Sequence, residues 1–184
     1  MGLSRLLYLA LPAALIGCAS MSVQTDFDPE AGFGQLRTFG WMPTASAAGV
    51  SRTASIRPPS GLLEGRIRAQ VRSDLEEKGY RYSDARPDFR VGILTVADRR
   101  VDASTVNTYY TYRRTTWIVS EPTVRQYVEG TLIIDLVAGA ENDLVWRGSA
   151  SGALPANPTP QSVSEKAVKA ASAILDRFPP EGAR

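Results

Sequence analysis

The sequence predicts an α+β fold in which an antiparallel sheet of about five strands carries two helices on one face, in the order β-β-α-β-β-β-α. Three observations carry this prediction. They are a set of short apolar or alternating runs, one apolar stripe at helical spacing, and a capped helix near the C-terminus. No internal repeat is visible in the 184 residues, so we expect a single packed domain.

Five segments have the residue pattern of strands: Ser22–Phe27, Gln35–Met42, Asp88–Val101, Tyr127–Val137 and Leu144–Gly152. Apolar and polar residues alternate along the first and third segments, which is typical of strands with one buried face. The fourth contains consecutive apolar residues, which favours burial on both faces. Turn residues at 139–143 predict that the fourth and fifth segments form a hairpin.

The first predicted helix covers Leu62–Lys78, and its apolar residues recur at every fourth position as one stripe: Leu63, Ile67, Val71 and Leu75. Gly79 follows the helix, where glycine adopts the left-handed C-cap conformation without steric cost. Residues 44–61, before the helix, are rich in Ala, Ser and Pro and are expected to form an exposed loop.

The second predicted helix has clear signals at both ends. Thr159 can cap it, and Pro160 suits the first helical position, where a missing N–H costs nothing. Pro179 and Pro180 stop the helix. Its expected buried face comprises Val163, Ala167, Ala170, Ala171, Ile174, Leu175 and Phe178.

The N-terminal segment contains the one cysteine, Cys18, directly after a short apolar run. Residues 1–20 resemble a bacterial lipoprotein signal, with a charged start, an apolar stretch and a lipobox. The resemblance implies cleavage between Gly17 and Cys18, S-diacylglycerol on the thiol and an N-acyl group on the freed amine. An ordinary cleaved signal is the alternative. A membrane span is not favoured, because about 11 apolar residues rise only ~17 Å against ~30 Å of hydrocarbon.

These boundaries predict a signal peptide over 1–17, a lipidated tether over 18–22, one domain over 23–180 and a short tail over 181–184. Ala19 and Ser20 follow the cysteine without an Asp at the next position, as in lipoproteins sorted to the outer membrane of Gram-negative bacteria. The tether reaches at most ~17 Å when extended. We therefore expect the domain to lie close to the periplasmic face of the outer membrane.

The composition leans away from catalysis. The chain has no histidine, which removes Ser-His-Asp catalysis, His-based zinc sites and imidazole acid–base chemistry. The thiol of Cys18 is committed to lipid, so we expect no disulfide, no metal and no cofactor besides the covalent lipid. The formal net charge of +2 includes Arg5, and a nearly balanced domain argues against a nucleic-acid partner.

The segment Asp102–Val124 is less regular and predicts a long hairpin arm or a loop. It concentrates the aromatic and basic residue types that dominate binding hot spots. We interpret them as a candidate interaction surface, with an ordinary solvated hairpin tip as the alternative. The candidate residues are Tyr109, Tyr110, Tyr112, Arg113, Arg114 and Trp117.

Motifs along the whole mature chain resemble those of the DUF4136 family of bacterial outer-membrane lipoproteins. They are Asp26–Pro29 and Thr38–Pro43, Lys78–Tyr80 and Pro87–Phe89, Glu129–Asp135, Leu144–Gly148, and Phe178–Pro180. The resemblance is poor over Asp102–Val124, where family members often carry Gly/Tyr/Trp-rich sequence. It implies an envelope lipoprotein without an assigned activity.

Within these motifs, most residue types favour structural roles. Trp41 and Trp146 are expected in the core or on a sheet face. Gly148 and Gly152 are expected to allow close approach of a helix, or to mark a bulge. Asp135 lies between apolar neighbours, and a solvent-facing carboxylate is favoured over a partly buried functional acid.

Three functions remain open. The favoured one is a non-catalytic, lipid-anchored module that binds an envelope protein or a cell-wall component, with an oligomeric state that the sequence does not define. The second is a small-ligand or lipid-binding module with a pocket lined by Phe39, Trp41, Ile93 and Ile134. The third is a hydrolase that uses carboxylates such as Asp26, Asp28 or Asp135, which would have to lie about 5–10 Å apart in a cleft.

Overall fold

The computed structural model describes residues 21–43, 61–112, 115–139 and 143–182, with side chains apart from those of residues 102–125. The elements are β1 (Ser22–Phe27), β2 (Thr38–Trp41), α1 (Gly61–Glu77), β3 (Arg81–Tyr82), β4 (Phe89–Tyr112), β5 (Thr115–Ala138), β6 (Asp143–Ala153) and α2 (Pro160–Leu175). All six strands form one sheet in the order β1-β6-β5-β4-β2-β3. The predicted α+β class is confirmed.

The sheet is mixed, so the prediction of a purely antiparallel sheet is wrong. The pairs β1–β6, β6–β5 and β5–β4 are antiparallel, whereas β2 is parallel to both β3 and β4. The helix α1 lies between β2 and β4 in the chain, and such a crossover returns the chain to the same end of the sheet. The sequence does not predict strand β3, because its two residues are too few to show a periodicity.

The end of α1 has the geometry that the sequence predicts. Gly79 has a φ of +92°, in the left-handed region. The Tyr80 N–H donates to the Leu75 carbonyl and the Gly79 N–H donates to the Glu76 carbonyl, each at 3.0 Å. These two bonds form a Schellman motif, which turns the chain sharply into β3.

The start of α2 is closed by a reciprocal cap. The Thr159 hydroxyl accepts the Ser162 N–H at 3.1 Å, and the Ser162 hydroxyl accepts the Thr159 N–H at 3.0 Å. Pro160 occupies the first turn, as predicted. This cap fixes the direction in which α2 crosses the sheet.

The core lies between the two helices and one face of the sheet. Its fully buried side chains include Phe39, Ile67, Phe89, Ile134, Leu136, Trp146, Ile174 and Phe178. Trp146 is a core residue, as expected, and Trp41 packs at the core's edge beneath the guanidinium of Arg68, 4.9 Å from the ring centroid. On the opposite face of β5, Ile133 is only half-buried.

Gly148 permits close contact between α2 and the sheet, as predicted. A Cβ at this position would lie 2.3 Å from Cγ2 of Ile174 and 2.5 Å from the ring of Trp146. Only a residue without a side chain fits between them. The contact helps to hold α2 flat on β6 at the C-terminal end of the helix.

Candidate functional site

The predicted interaction residues lie at the far end of a long hairpin. The last four residues of β4 include Tyr109, Tyr110 and Tyr112, and Trp117 lies near the start of β5. Arg113 and Arg114, between the strands, are outside the described residues, as are Gly17 and Cys18. The predicted strand Asp88–Val101 therefore continues far beyond its expected end, because the irregular segment after it is itself a strand pair.

The register of the hairpin divides its aromatic residues between two faces. Tyr110 pairs directly with Trp117, and Tyr109 pairs with Ile118. Because alternate residues of a strand lie on opposite faces, Tyr110, Tyr112 and Trp117 share one face of the ribbon. Tyr109 lies on the other.

The outer part of this hairpin has no other strand beside it in the described structure. Strand β6 pairs with β5 no farther out than Glu129, and β2 pairs with β4 only from Phe89 to Val91. We call residues 100–112 and 115–127 the arm. At about 3.3 Å per residue, the thirteen residues of each strand extend roughly 40 Å from the body of the domain.

The three candidate catalytic carboxylates, Asp26, Asp28 and Asp135, lie on the sheet face opposite the helices or in a turn. Asp26 of β1, Arg147 of β6 and Asp135 of β5 form one cross-strand row. Arg147 donates Nε–H and Nη2–H to the two Asp135 oxygens, each at 2.7 Å, and this bidentate pairing raises the pKa of Arg147. Asp28 accepts the Glu30 N–H at 2.9 Å. Asp135 is thus the solvent-facing carboxylate that the sequence favours.

The pocket expected around Phe39, Trp41, Ile93 and Ile134 is not found at those residues. Phe39 and Ile134 are fully buried in the core, with the Phe39 ring stacked on that of Phe89 at 6.1 Å between centroids. The aromatic side chains fill this part of the helix–sheet interface. That form of the pocket hypothesis is wrong.

A cavity of about 710 Å³ lies instead at the opposite end of the same interface, between the N-terminal turns of both helices and the sheet. Its lining is mostly apolar and comprises Met21, Leu62, Leu63, Arg66, Thr95, Val96, Ala97, Gly130, Thr131, Leu132, Ala150, Ser151, Gly152, Leu154, Pro158, Thr159, Pro160, Val163, Lys166, Ala167 and Ala170. The volume is typical of small-molecule sites. Periodicity alone gives no signal for it, since its position depends on the separation of the two helix starts.

The described part of the chain lacks two other features that would indicate a function. Within it, no group of three or more His, Cys, Asp or Glu side chains could hold a metal ion. No helix in these residues is both long enough and apolar enough to cross a membrane.

Comparison with solved structures shows similarity of fold. A PDZ domain protein from Parabacteroides distasonis matches with a TM-score of 0.56 and 15% identity, over 86% of this chain and 36% of the other. This chain thus spans about a third of the length of that protein. The PelC dodecamer from Paraburkholderia phytofirmans matches with a TM-score of 0.43 and 9% identity, over 85% of this chain and 95% of the other. No curated protein matches the chain.

Comparison with family models identifies the chain. The model of a domain of unknown function, DUF4136, matches residues 23–180, which include every strand and helix described above apart from the first residue of β1. Because this match covers most of the sequence, the chain belongs to the DUF4136 family.

Proposed function

We propose that this protein is a lipid-anchored component of the bacterial envelope, held by Cys18 at the periplasmic face of the outer membrane, whose domain acts by binding a partner. The lipobox before Cys18 and the short tether support the anchor. The absence of histidine and of a second cysteine from the sequence supports binding over catalysis.

The arm is the observation that carries the binding proposal. A two-stranded ribbon is only marginally stable in water, and no strand of the described residues pairs with the rows of N–H and C=O groups on its two outer edges. An added strand from a partner would satisfy one of these rows. This mode of recognition, β-augmentation, draws affinity from main-chain hydrogen bonds and specificity from side chains on alternate positions.

The β4 edge of the arm is the better edge for such pairing. The Met42 N–H donates to the Val91 carbonyl at 3.0 Å, so the backbone groups of Val91 face outward from β4. The β4–β5 register is continuous. The backbone N–H and C=O groups of the odd-numbered residues of β4 therefore point away from β5 as far as the tip of the arm. No proline interrupts this row from Arg100 to Tyr112.

The β5 edge lacks one donor. The Val128 carbonyl accepts the Leu154 N–H at 2.7 Å. The backbone N–H and C=O groups of the even-numbered residues of β5 therefore point away from β4, toward the outer edge of β5. Pro122 is one of these residues, and proline has no N–H. A partner strand is therefore expected along β4.

Lipidation is tested by replacing its acceptor. A Cys18→Ser variant, expressed in a Gram-negative host, should incorporate no labelled palmitate and should accumulate as the unprocessed precursor. Labelling and processing equal to those of the unaltered chain would contradict the anchor. The result is independent of the arm.

Binding through the arm is tested by crosslinking in cells. Photoreactive residues at Tyr110 and Trp117 should give discrete adducts, which mass spectrometry identifies as another envelope protein or a second copy of this chain. Lys169, exposed on α2, is the control position. Adducts at Tyr110 and Trp117 that match those at Lys169 would contradict a contact surface on the arm.

A further inference from the structure

The cavity between the helix starts combines an apolar interior with two cationic side chains. Leu132, Ala150 and Ala170 contribute buried apolar surface to its wall, and Leu62, a residue that is 77% exposed, lies at its edge. Contact with an apolar ligand would remove the exposed surface of Leu62 from water. The interior therefore suits a hydrocarbon chain.

The cations are Arg66 on α1 and Lys166 on α2. Neither forms an ion pair with a described residue. The Lys166 ammonium donates to the Ala153 carbonyl, which uses one of its three donors. Among the described residues that line the cavity, none is acidic. An anionic group at this site would meet two positive charges without a competing carboxylate.

We propose that this cavity binds a single-chain amphiphile with an anionic headgroup, of the fatty-acid class, with its hydrocarbon chain inside and its headgroup between Arg66 and Lys166. Charge-assisted hydrogen bonds from both side chains orient the headgroup. The proposal concerns a different surface from the arm, so each stands or falls without the other.

The chain's own lipid is the competing occupant. Met21 lines the cavity only three residues after Cys18, a reach of about 10 Å. However, a diacylglycerol thioether and an N-acyl amide carry no negative charge. They would leave Arg66 and Lys166 without an anionic partner, which favours a separate, anionic ligand.

The test uses the full-length protein purified from membranes and placed in nanodiscs of neutral lipid. The probe is a photoreactive, clickable analogue of palmitate. We expect saturable labelling that maps to cavity residues of α2, β5 and β6. Unlabelled palmitate should compete with the probe, whereas hexadecanol and hexadecyltrimethylammonium should not.

Two kinds of variant make the test specific. The charge-reversed pair Arg66→Glu and Lys166→Glu should lower cavity labelling at least about tenfold, because hydrogen bonds to charged groups are among the strongest in proteins. Ala167→Trp should occupy part of the cavity and also lower the labelling. Lys169→Glu makes the same charge change as Lys166→Glu alone, on the exposed side of α2, and should leave labelling unchanged. Circular dichroism and the thermal midpoint establish that each variant folds.

Three outcomes would overturn the proposal. The first is labelling of the folded charge-reversed variant at the level of the unaltered protein. The second is labelling spread over the surface, or competed equally by hexadecanol. The third is seen with a photoreactive residue at Ala167: an internal crosslink to the lipid on Cys18 or to residues 44–60 would show that the chain fills its own cavity.

Discussion

Gly148 lies at the point of closest approach between α2 and the sheet. A methyl group there would meet Ile174 and Trp146 at distances far below van der Waals contact. We expect Gly148→Ala to lower the free energy of unfolding by about 1–3 kcal/mol, the usual cost of overpacking a core. Urea unfolding followed by circular dichroism measures this change.

Gly65 provides the matched control for this substitution. It lies within α1, and a Cβ there would meet nothing within 4 Å. Gly65→Ala should be neutral or stabilise the protein by up to ~1 kcal/mol, because alanine has the higher helix propensity. Equal destabilisation by the two substitutions would contradict the close-packing role of Gly148.

Asp88 joins the start of β4 to the start of β2. Its carboxylate accepts the N–H groups of Arg37 and Thr38 at 2.9 and 2.8 Å and the Thr38 hydroxyl at 2.9 Å. These bonds, the one from the Arg37 N–H first, lower the pKa of Asp88. The motif residue Asp88 thus has a structural role in placing β2 beside β4.

This pKa shift predicts a pH-dependent contribution to stability. A lowered folded-state pKa stabilises the protein above the ordinary aspartate pKa of about 3.9, and the contribution is lost as the pH falls through the folded-state value. Asp88→Asn should therefore be less stable than the unaltered protein at pH 7, with a difference that shrinks toward pH ~3. Urea unfolding at both pH values tests this, with Glu181→Gln as an exposed control. A constant difference would contradict the mechanism.

The arm is the element to which we assign binding, whereas the packed body is expected to fold without it. Strand β2 pairs with β4 only from Phe89 to Val91, β6 pairs with β5 only as far as Glu129, and Val101, at the base of the arm, is 63% exposed. We therefore expect the packed body to fold without the ribbon beyond it. An arm of this length is therefore more simply explained by a contact than by a contribution to folding.

Excision of the arm tests that separation. Replacing residues 100–127 by Asn-Gly, which forms a two-residue hairpin turn, should leave a cooperative domain. Its thermal midpoint should stay within about 4 °C of the original value, a shift that corresponds to ~1 kcal/mol. Loss of cooperative unfolding would show that the arm is part of the folding unit.

Sequence patterns predict those elements whose signals are local. The apolar stripe of α1, the Gly79 cap and the Thr159–Pro160 start of α2 all depend on residues a few positions apart, and all are confirmed. The paired strands of the arm show no such local pattern. The sequence predicts a long hairpin arm or a loop here, and the register that pairs Tyr110 with Trp117 confirms the hairpin.

Features that depend on the arrangement of several elements are harder to predict. The parallel placement of β2 follows from the route of the chain through α1, and the cavity follows from the gap between two helix starts. Sequence patterns predict a pocket at Phe39 and Ile134, whose large side chains instead fill the core. Large apolar residues mark packing, whereas a cavity is marked by small ones such as Ala150 and Gly152.

At the scale of the whole molecule, the protein consists of a body, an arm and a proposed membrane anchor. The body packs two helices on a mixed sheet, and the arm extends roughly 40 Å from one end of that sheet. A short tether to Cys18 would hold the body at the membrane surface. The arm then supplies the reach that the tether lacks.

Crosslinking in cells at Tyr110, compared between Asn107→Pro and Asn107→Ala, tests the central claim that a partner pairs with the β4 edge. Asn107 is an odd-numbered residue of β4, so proline removes an outward N–H and keeps the β4–β5 ladder, whereas alanine keeps both. We predict that adducts fall several-fold with Asn107→Pro and persist with Asn107→Ala, at equal protein levels. Equal adducts from the two variants would contradict pairing along this edge.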